Sequence, residues 1–171
     1  MIDLNDFASD CAKCAELCCL ALAFDQGDSF AHSKTAGSPC HNLSPATSGC
    51  SIHKDLTRKG YSGCVAYQCL GAGQRVTALF DQTWRDDPKL IAPMMDAFRQ
   101  MRSVQSCLQL LAAAQALTLP VQLEVERAAF FTQLSPNQWS VDTLQRFETD
   151  GVAVEINTWL RGLAAFVSSA P

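Results

Sequence analysis

Residues 11–19 read CAKCAELCC, four cysteines in nine positions, and the fate of these thiols decides how the first half of the chain folds. Three states are open to them: paired as disulfides, held on a metal, or packed as small hydrophobes. The run lies inside DLNDFASDCAKCAELCCLALAF (3–24), which is free of Gly and Pro and offers Asp3 or Asn5 as an N-cap. A helix is therefore expected over about 4–22. On that helix Cys11, Cys14 and Cys18 fall at i, i+3 and i+7, one stripe, while Cys19 points about 100° away. Disulfides along such a stripe would strain the torsions of the bridge and close only tiny loops. Several thiolates presented side by side suit a shared ion better.

Working outward, the remaining cysteines come as C-x9-C (Cys40, Cys50) and C-x4-C (Cys64, Cys69), with Cys107 alone; all three histidines (His32, His41, His53) also lie in this first part. Eight thiols divide into two sets of four, the number for two tetrahedral sites or two clusters. Cys11, Cys14, Cys18, Cys19, Cys40, Cys50, Cys64 and Cys69 are the candidate ligands. Cys107 is expected to be packed as a hydrophobe. His41 and His53 are expected near the surface or hydrogen-bonded to a thiolate rather than on the ion. Four thiolates suit zinc, iron or an iron–sulfur cluster, and Cu(I) as well; zinc is expected ahead of iron because it staples a fold without redox chemistry.

The division falls near residue 78. Large apolar residues number 17 in the first 78 positions and 33 in the remaining 93. The first part is too thin in apolar side chains to hold itself and needs a staple or a neighbour. Its 25–50 stretch, rich in Gly, Ser, Thr and Pro, is expected as a long loop pinned by Cys40 and Cys50. Ser51 is expected to cap a short helix stopped by Gly60, and another helix to begin at GAGQRV (71–76). Residues 79–171 read as helices throughout: 74–86, 88–117, Pro120–Leu134, a short one from Ser140, and a last one after Asp150-Gly151. The fold class is mainly α: a small cysteine-rich, metal-stapled module (1–78) packed on a helical bundle (79–171).

The layout C-x2-C-x3-C-C, then Cys40-His41-Asn42-Leu43, then GCSIH (49–53) and C-x4-C resembles the YkgJ-type zinc- or iron-chelating cysteine-rich proteins of bacteria. It is similar also to the cysteine-rich leader ahead of some pentapeptide-repeat proteins, where a GYSGC…YQC-x-GAGQRV segment occurs. The resemblance covers about residues 8–78 and all eight cysteines, and it implies chelation of zinc or iron rather than a defined reaction. Two features depart from it: KGYSG (59–63) stands where an Arg-Pro-containing approach is common, and no pentapeptide repeats follow.

The net charge of −4 leaves no basic footprint for nucleic acid. No signal-peptide pattern and no membrane span is legible, so a cytoplasmic protein is expected. Nothing marks an enzyme: GAGQ (71–74) lacks the Lys of a P-loop and is expected as a tight turn. The expected function is metal binding, with the helical part as a docking or oligomerisation surface. The alternatives are an iron–sulfur redox enzyme component and a carrier that hands its ion to a protein partner.

Overall fold

In a computed structural model, which describes residues 7–44, 48–136 and 138–167, the longest element is helix α4 (Ile91–Ala113). Pro88 opens the 3-10 turn that leads into it, and the Asp87 side chain accepts the Lys89 N–H at 2.9 Å. Met94, Phe98, Met101, Val104, Leu108 and Leu111 recur at helical spacing and are buried along one face. That face is where the rest of the chain assembles, since α1, α3, α5, α6 and α7 all pack on α4.

Helix α6 (Val141–Thr149) starts at a capping box between Ser140 and Thr143 and buries Leu144 and Phe147. Helix α7 (Val152–Gly162) follows Gly151, whose φ of +69° makes the reversal, and buries Val152 and Ile156. Helix α5 (Val121–Leu134) runs along the rim and fully buries only Leu134. The last expected helix is divided: it breaks at Leu163 and resumes as α8 (Ala164–Val167). Glu148 of α6 receives Arg99 and Gln100 of α4, an ionic and polar clasp between the two helices.

Before the bundle the helices are short: α1 (Leu17–Ala21), α2 (Ser62–Ala66) and α3 (Ala72–Thr77). Two expectations are corrected here. The single helix over 4–22 is not formed; residues 4–6 lie outside the described ones, Cys11–Lys13 is a 3-10 turn capped by Asp10, Cys14 is extended, and Glu16 has φ of +50°. Tertiary partners override propensity: the Glu16 carboxylate is drawn to Gly49 and Arg85, which turns the backbone over. Nor does Ser51 cap a helix, because its hydroxyl donates to Asn42 O at 2.8 Å, leaving only a 3-10 turn at His53–Asp55. The helix expected over 74–86 stops at Thr77 as well, and turns carry the chain to α4.

Among the described residues strand pairing is limited to three isolated bridges, Phe24↔Lys34, Gly27↔Phe30 and Leu43↔Cys50. One apolar cluster runs from Leu17, Leu20, Ala72, Val76 and Trp84 into Met94, Met101 and Leu111. The thin sulfur-rich segment therefore leans on the bundle for its core. Met94, Phe98 and Met101 are buried in that core.

Candidate metal centre

All nine cysteines are free thiols, so no disulfide staples the described chain. Cys107 is buried in α4, with its thiol pushed up by burial alone. The other eight lie where α1, α2, α3 and the loops converge, and each feels particular neighbours.

The first group is braced by α3. Gln74 accepts the Asp10 N–H at 3.2 Å and donates to Ala8 O at 2.8 Å, while the Thr77 hydroxyl accepts the Ala15 N–H at 3.0 Å. These bonds lash Cys11 and Cys14 to the helix that follows Cys69. Gly73 makes the approach possible: a Cβ there would stand 2.5 Å from Cys14 Sγ and 3.9 Å from Cys69 Sγ. The bare helix surface at Gly73 is thus a cradle for two sulfurs. Burial comes first in raising the Cys14 thiol to about 11, with the sulfurs of Cys18, Cys69 and Cys11 adding to it against a hydrogen bond from the Leu17 N–H. Burial likewise raises Cys11, reinforced by Cys18 and Cys69. The Ser9 hydroxyl lies 3.1 Å from Cys69 Sγ.

The second group is held by the loop. Cys40 N–H donates to Cys19 O at 3.0 Å, and the Leu43↔Cys50 bridge sets Cys50 beside the turn that begins at Cys40. Cys64 sits on α2, where the Phe30 ring lies so close over Gly63 that any added side chain would have to displace the ring. Burial raises Cys64 to about 11, and the Cys18, Cys40 and Cys50 sulfurs add to it. Cys50 is raised by burial, then by Cys40 and Cys18, against the Ile52 N–H. Cys19 is raised first by sharing its proton with Cys18, then by burial and by the charges of Cys18, Cys40 and Cys50. The same shared proton, helped by the Cys19 and Cys18 N–H groups, brings Cys18 down to about 7.

Cys11, Cys14 and Cys69 lie against α3, and Cys19, Cys40, Cys50 and Cys64 lie where the loop meets α1 and α2, while Cys18 shares a proton with Cys19 and is felt by members of both sets. Burial first, and neighbouring sulfurs second, hold Cys11, Cys14, Cys50 and Cys64 above the ordinary thiol range. Among the described residues, the Cys, His, Asp and Glu side chains include no group of three or more gathered tightly enough to hold a metal ion. The thiols are neighbours rather than a closed shell. Thiolates are the donors that zinc and iron sites commonly use.

Backbone strain clusters here too. The non-glycine residues with positive φ among those described are Glu16 (+50°) and Leu70 (+53°), each one or two positions from a candidate cysteine. Glu16 is buried: Oε1 accepts the Gly49 N–H at 2.6 Å and Oε2 accepts Arg85 Nε at 2.9 Å, tying Gly49 and the approach to α4 onto CAKCAELCC. Trp84 Nε1 adds a bond to Ala15 O at 2.6 Å.

The histidines take other partners. The Tyr61 hydroxyl lies 2.8 Å from His32 Nδ1 and 3.3 Å from His41 Nε2, and the two imidazole rings are 3.7 Å apart. His53 lies in a shallow surface depression with Lys54 and Arg58. Sequence reasoning missed three residues that shape the centre: Glu16, Gly73 and Lys34. For Lys34 a signal existed, since it is the only Lys or Arg in residues 25–50.

The chain is similar to an uncharacterised protein of Bacillus subtilis (strain 168), YybG, with 35% identity over 158 residues. The match covers 91% of this chain and 56% of that relative, so the chain spans little more than half of the curated relative's length. No protein-family profile matches the chain, and no solved structure matches it.

Proposed function

We propose that the protein binds two metal ions through its eight clustered cysteines. Cys11, Cys14, Cys18 and Cys69 hold one ion, Cys19, Cys40, Cys50 and Cys64 the other, and zinc is favoured over iron or an iron–sulfur cluster. The observation that supports this reading is that eight unpaired thiols lie in one part of the fold, with Cys14 and Cys69 both set against the bare helix surface at Gly73. Closing each shell around a divalent ion would release protons as the thiols ionise. A structural zinc site contributes roughly 10–16 kcal/mol in small zinc-binding peptides, enough to order a segment this poor in apolar residues. The bundle would serve as a docking or oligomerisation surface for a protein partner, and the setting would be the cytoplasm, where thiols stay reduced. Among the described residues no helix is long and apolar enough to cross a membrane.

A carrier role is the second reading, favoured by one observation: each neighbourhood contains one exposed thiol, Cys11 in the first and Cys64 in the second. An exposed ligand is where a competing thiol could begin ligand exchange.

Elemental analysis of the purified chain tests the proposal. Two equivalents of zinc or iron per chain are expected, lost with C14S or C64S one at a time. A brown preparation with absorbance near ~400 nm would assign a cluster instead. Less than one equivalent in the fully reduced protein would refute the reading. A weak competing chelator separates the roles: a carrier gives up its ion within minutes and stays folded, whereas a structural site holds it or unfolds.

A further inference from the structure

A groove of about 600 Å³ opens between α5 and α7, which each pack on α4. Leu123 and Phe130 on one side, with Trp159 and Leu163 on the other, give it apolar walls, and Glu126 and Glu155 bring two carboxylates to it. Phe130 and Trp159 meet edge to face, their centroids 5.6 Å apart and their planes at 66°, and so form an aromatic corner. Glu126 is fixed beside that corner: Oε2 accepts the Trp159 Nε1–H at 2.8 Å and Oε1 accepts the Gln122 amide at 3.1 Å. An indole N–H held by a carboxylate leaves the ring richer in electrons, and indole is already the side chain whose face attracts a cation most. Glu155 stands one turn before Trp159 on α7, exposed, and enters no ion pair among the described residues. No lysine or arginine lines the groove. Arg127, next to Glu126 in sequence, is turned to Glu124 at 2.9 Å and over the Phe131 ring, and Arg161 of α7 is exposed outside the lining.

Size and chemistry together select the occupant. The α5 wall runs only from Leu123 to Phe130, about 10 Å of helix, which is a short seam for a docked helix. The volume instead falls among small-ligand sites, roughly 300–1,000 Å³, whose walls are apolar with a few fixed polar groups. Two carboxylates beside a π face attract positive charge and repel negative charge. We infer that this groove binds a small organic cation, with an ammonium group at Glu155 and the Trp159 face and an apolar portion against Leu123, Phe130 and Leu163. The site belongs to the bundle and does not depend on the metal reading.

The test uses the full chain as wild type, E155Q, W159F and D142N. The probe is (4-phenylbutyl)trimethylammonium, with 4-phenylbutanol and 4-phenylbutanoate as its neutral and anionic counterparts. Calorimetry reads affinity, NMR of the indole N–H signals reads position, and circular dichroism checks that each variant is folded. Wild type is expected to bind one equivalent of the ammonium and to shift the signal that W159F lacks, leaving those of Trp84 and Trp139 in place. The alcohol is expected to bind at least about 10-fold more weakly, and the carboxylate more weakly still. E155Q is expected to weaken the ammonium about 5–20-fold and to leave the alcohol unchanged. D142N removes an exposed charge on α6 outside the groove and is expected to change neither. Alcohol bound as tightly as ammonium overturns the inference, since the groove would then be an apolar crevice only. Equal affinities in E155Q and D142N overturn it as well, as does a folded wild-type chain with no saturable uptake of the ammonium. E155Q alone decides the question if W159F fails to fold.

Discussion

Gly73→Ala isolates the sulfur cradle from the helix that carries it. Gly73 lies inside α3, and its φ is not positive, so by propensity alone alanine should stabilise the chain by roughly 0.5–1 kcal/mol. The added methyl would stand 2.5 Å from Cys14 Sγ and 3.5 Å from Cys14 Cβ. Ordinary carbon contacts lie at about 3.5–4.0 Å, so the sulfur must retreat by about 1 Å. Overpacking of this kind costs about 1–3 kcal/mol, which cancels or exceeds the propensity gain in the metal-free chain. For a bound ion the consequence is sharper, because metal–sulfur distances tolerate only about ±0.2 Å. G73A is therefore expected to lose one of two ions and to melt near the metal-free wild type after chelation. Metal per chain and melting with and without chelator measure both effects. If G73A keeps both ions at wild-type affinity and melts about 2–4 °C higher, as a plain Gly-to-Ala helix substitution would, the placement of Cys14 against α3 is wrong.

The other expectations are simpler to state. Cys107→Ala removes a sulfur buried in α4 whose thiol is raised by burial alone, so stability should fall by about 1–2 kcal/mol with metal content unchanged, as denaturant midpoints and elemental analysis would show. Glu148→Gln breaks the α4–α6 clasp. The Arg99 guanidinium first, then the Gln100 amide, hold the Glu148 carboxyl down at about 2 against an ordinary 4.5, so its stabilisation is complete above pH 4.5 and fades as pH falls towards 2. Both partners are well exposed, so the difference from wild type at pH 7 should be only about 0.2–1 kcal/mol after solvent screening, and should vanish near pH 2 in urea titrations. Metal uptake should release protons at pH 7, because Cys14 and Cys64, each raised to about 11, must ionise to bind. Apparent affinity should then rise with pH, measurable by calorimetry in buffers of different ionisation enthalpy; a pH-independent affinity would contradict thiolate ligation.

The bundle was legible because its signals are local. Met94, Phe98, Met101, Val104, Leu108 and Leu111 keep helical spacing, Pro88 and Pro120 mark helix starts, and Ser140 with Thr143 closes a capping box, so α4, α5 and α6 lie where spacing put them. The amino-terminal segment was not legible in the same way. CAKCAELCC has the composition of a helix, yet two bonds to Glu16 from residues 33 and 69 positions away reverse its backbone, and no window of nearby residues contains that information. The same holds for the 74–86 stretch. Val76, Leu79, Phe80 and Trp84 have helical spacing, but Trp84 is committed to Ala15 O, which requires the chain to turn after Thr77 instead of continuing.

The eight candidate cysteines stand out by their spacing, but which of them lie near one another follows from features that spacing does not encode. On an unbroken helix Cys11, Cys14 and Cys18 would share a stripe by periodicity; in the folded chain Cys14 and Cys69 meet because Gly73 has no side chain, and Cys19 meets Cys40 because a backbone hydrogen bond joins them. The strained conformations at Glu16 and Leu70 are understandable in that setting. Each would cost on the order of 1–3 kcal/mol in isolation and would be removed by a glycine, yet each stands where the chain must turn abruptly beside a cysteine. A short segment with a shared rather than private core has little apolar burial to offset such costs.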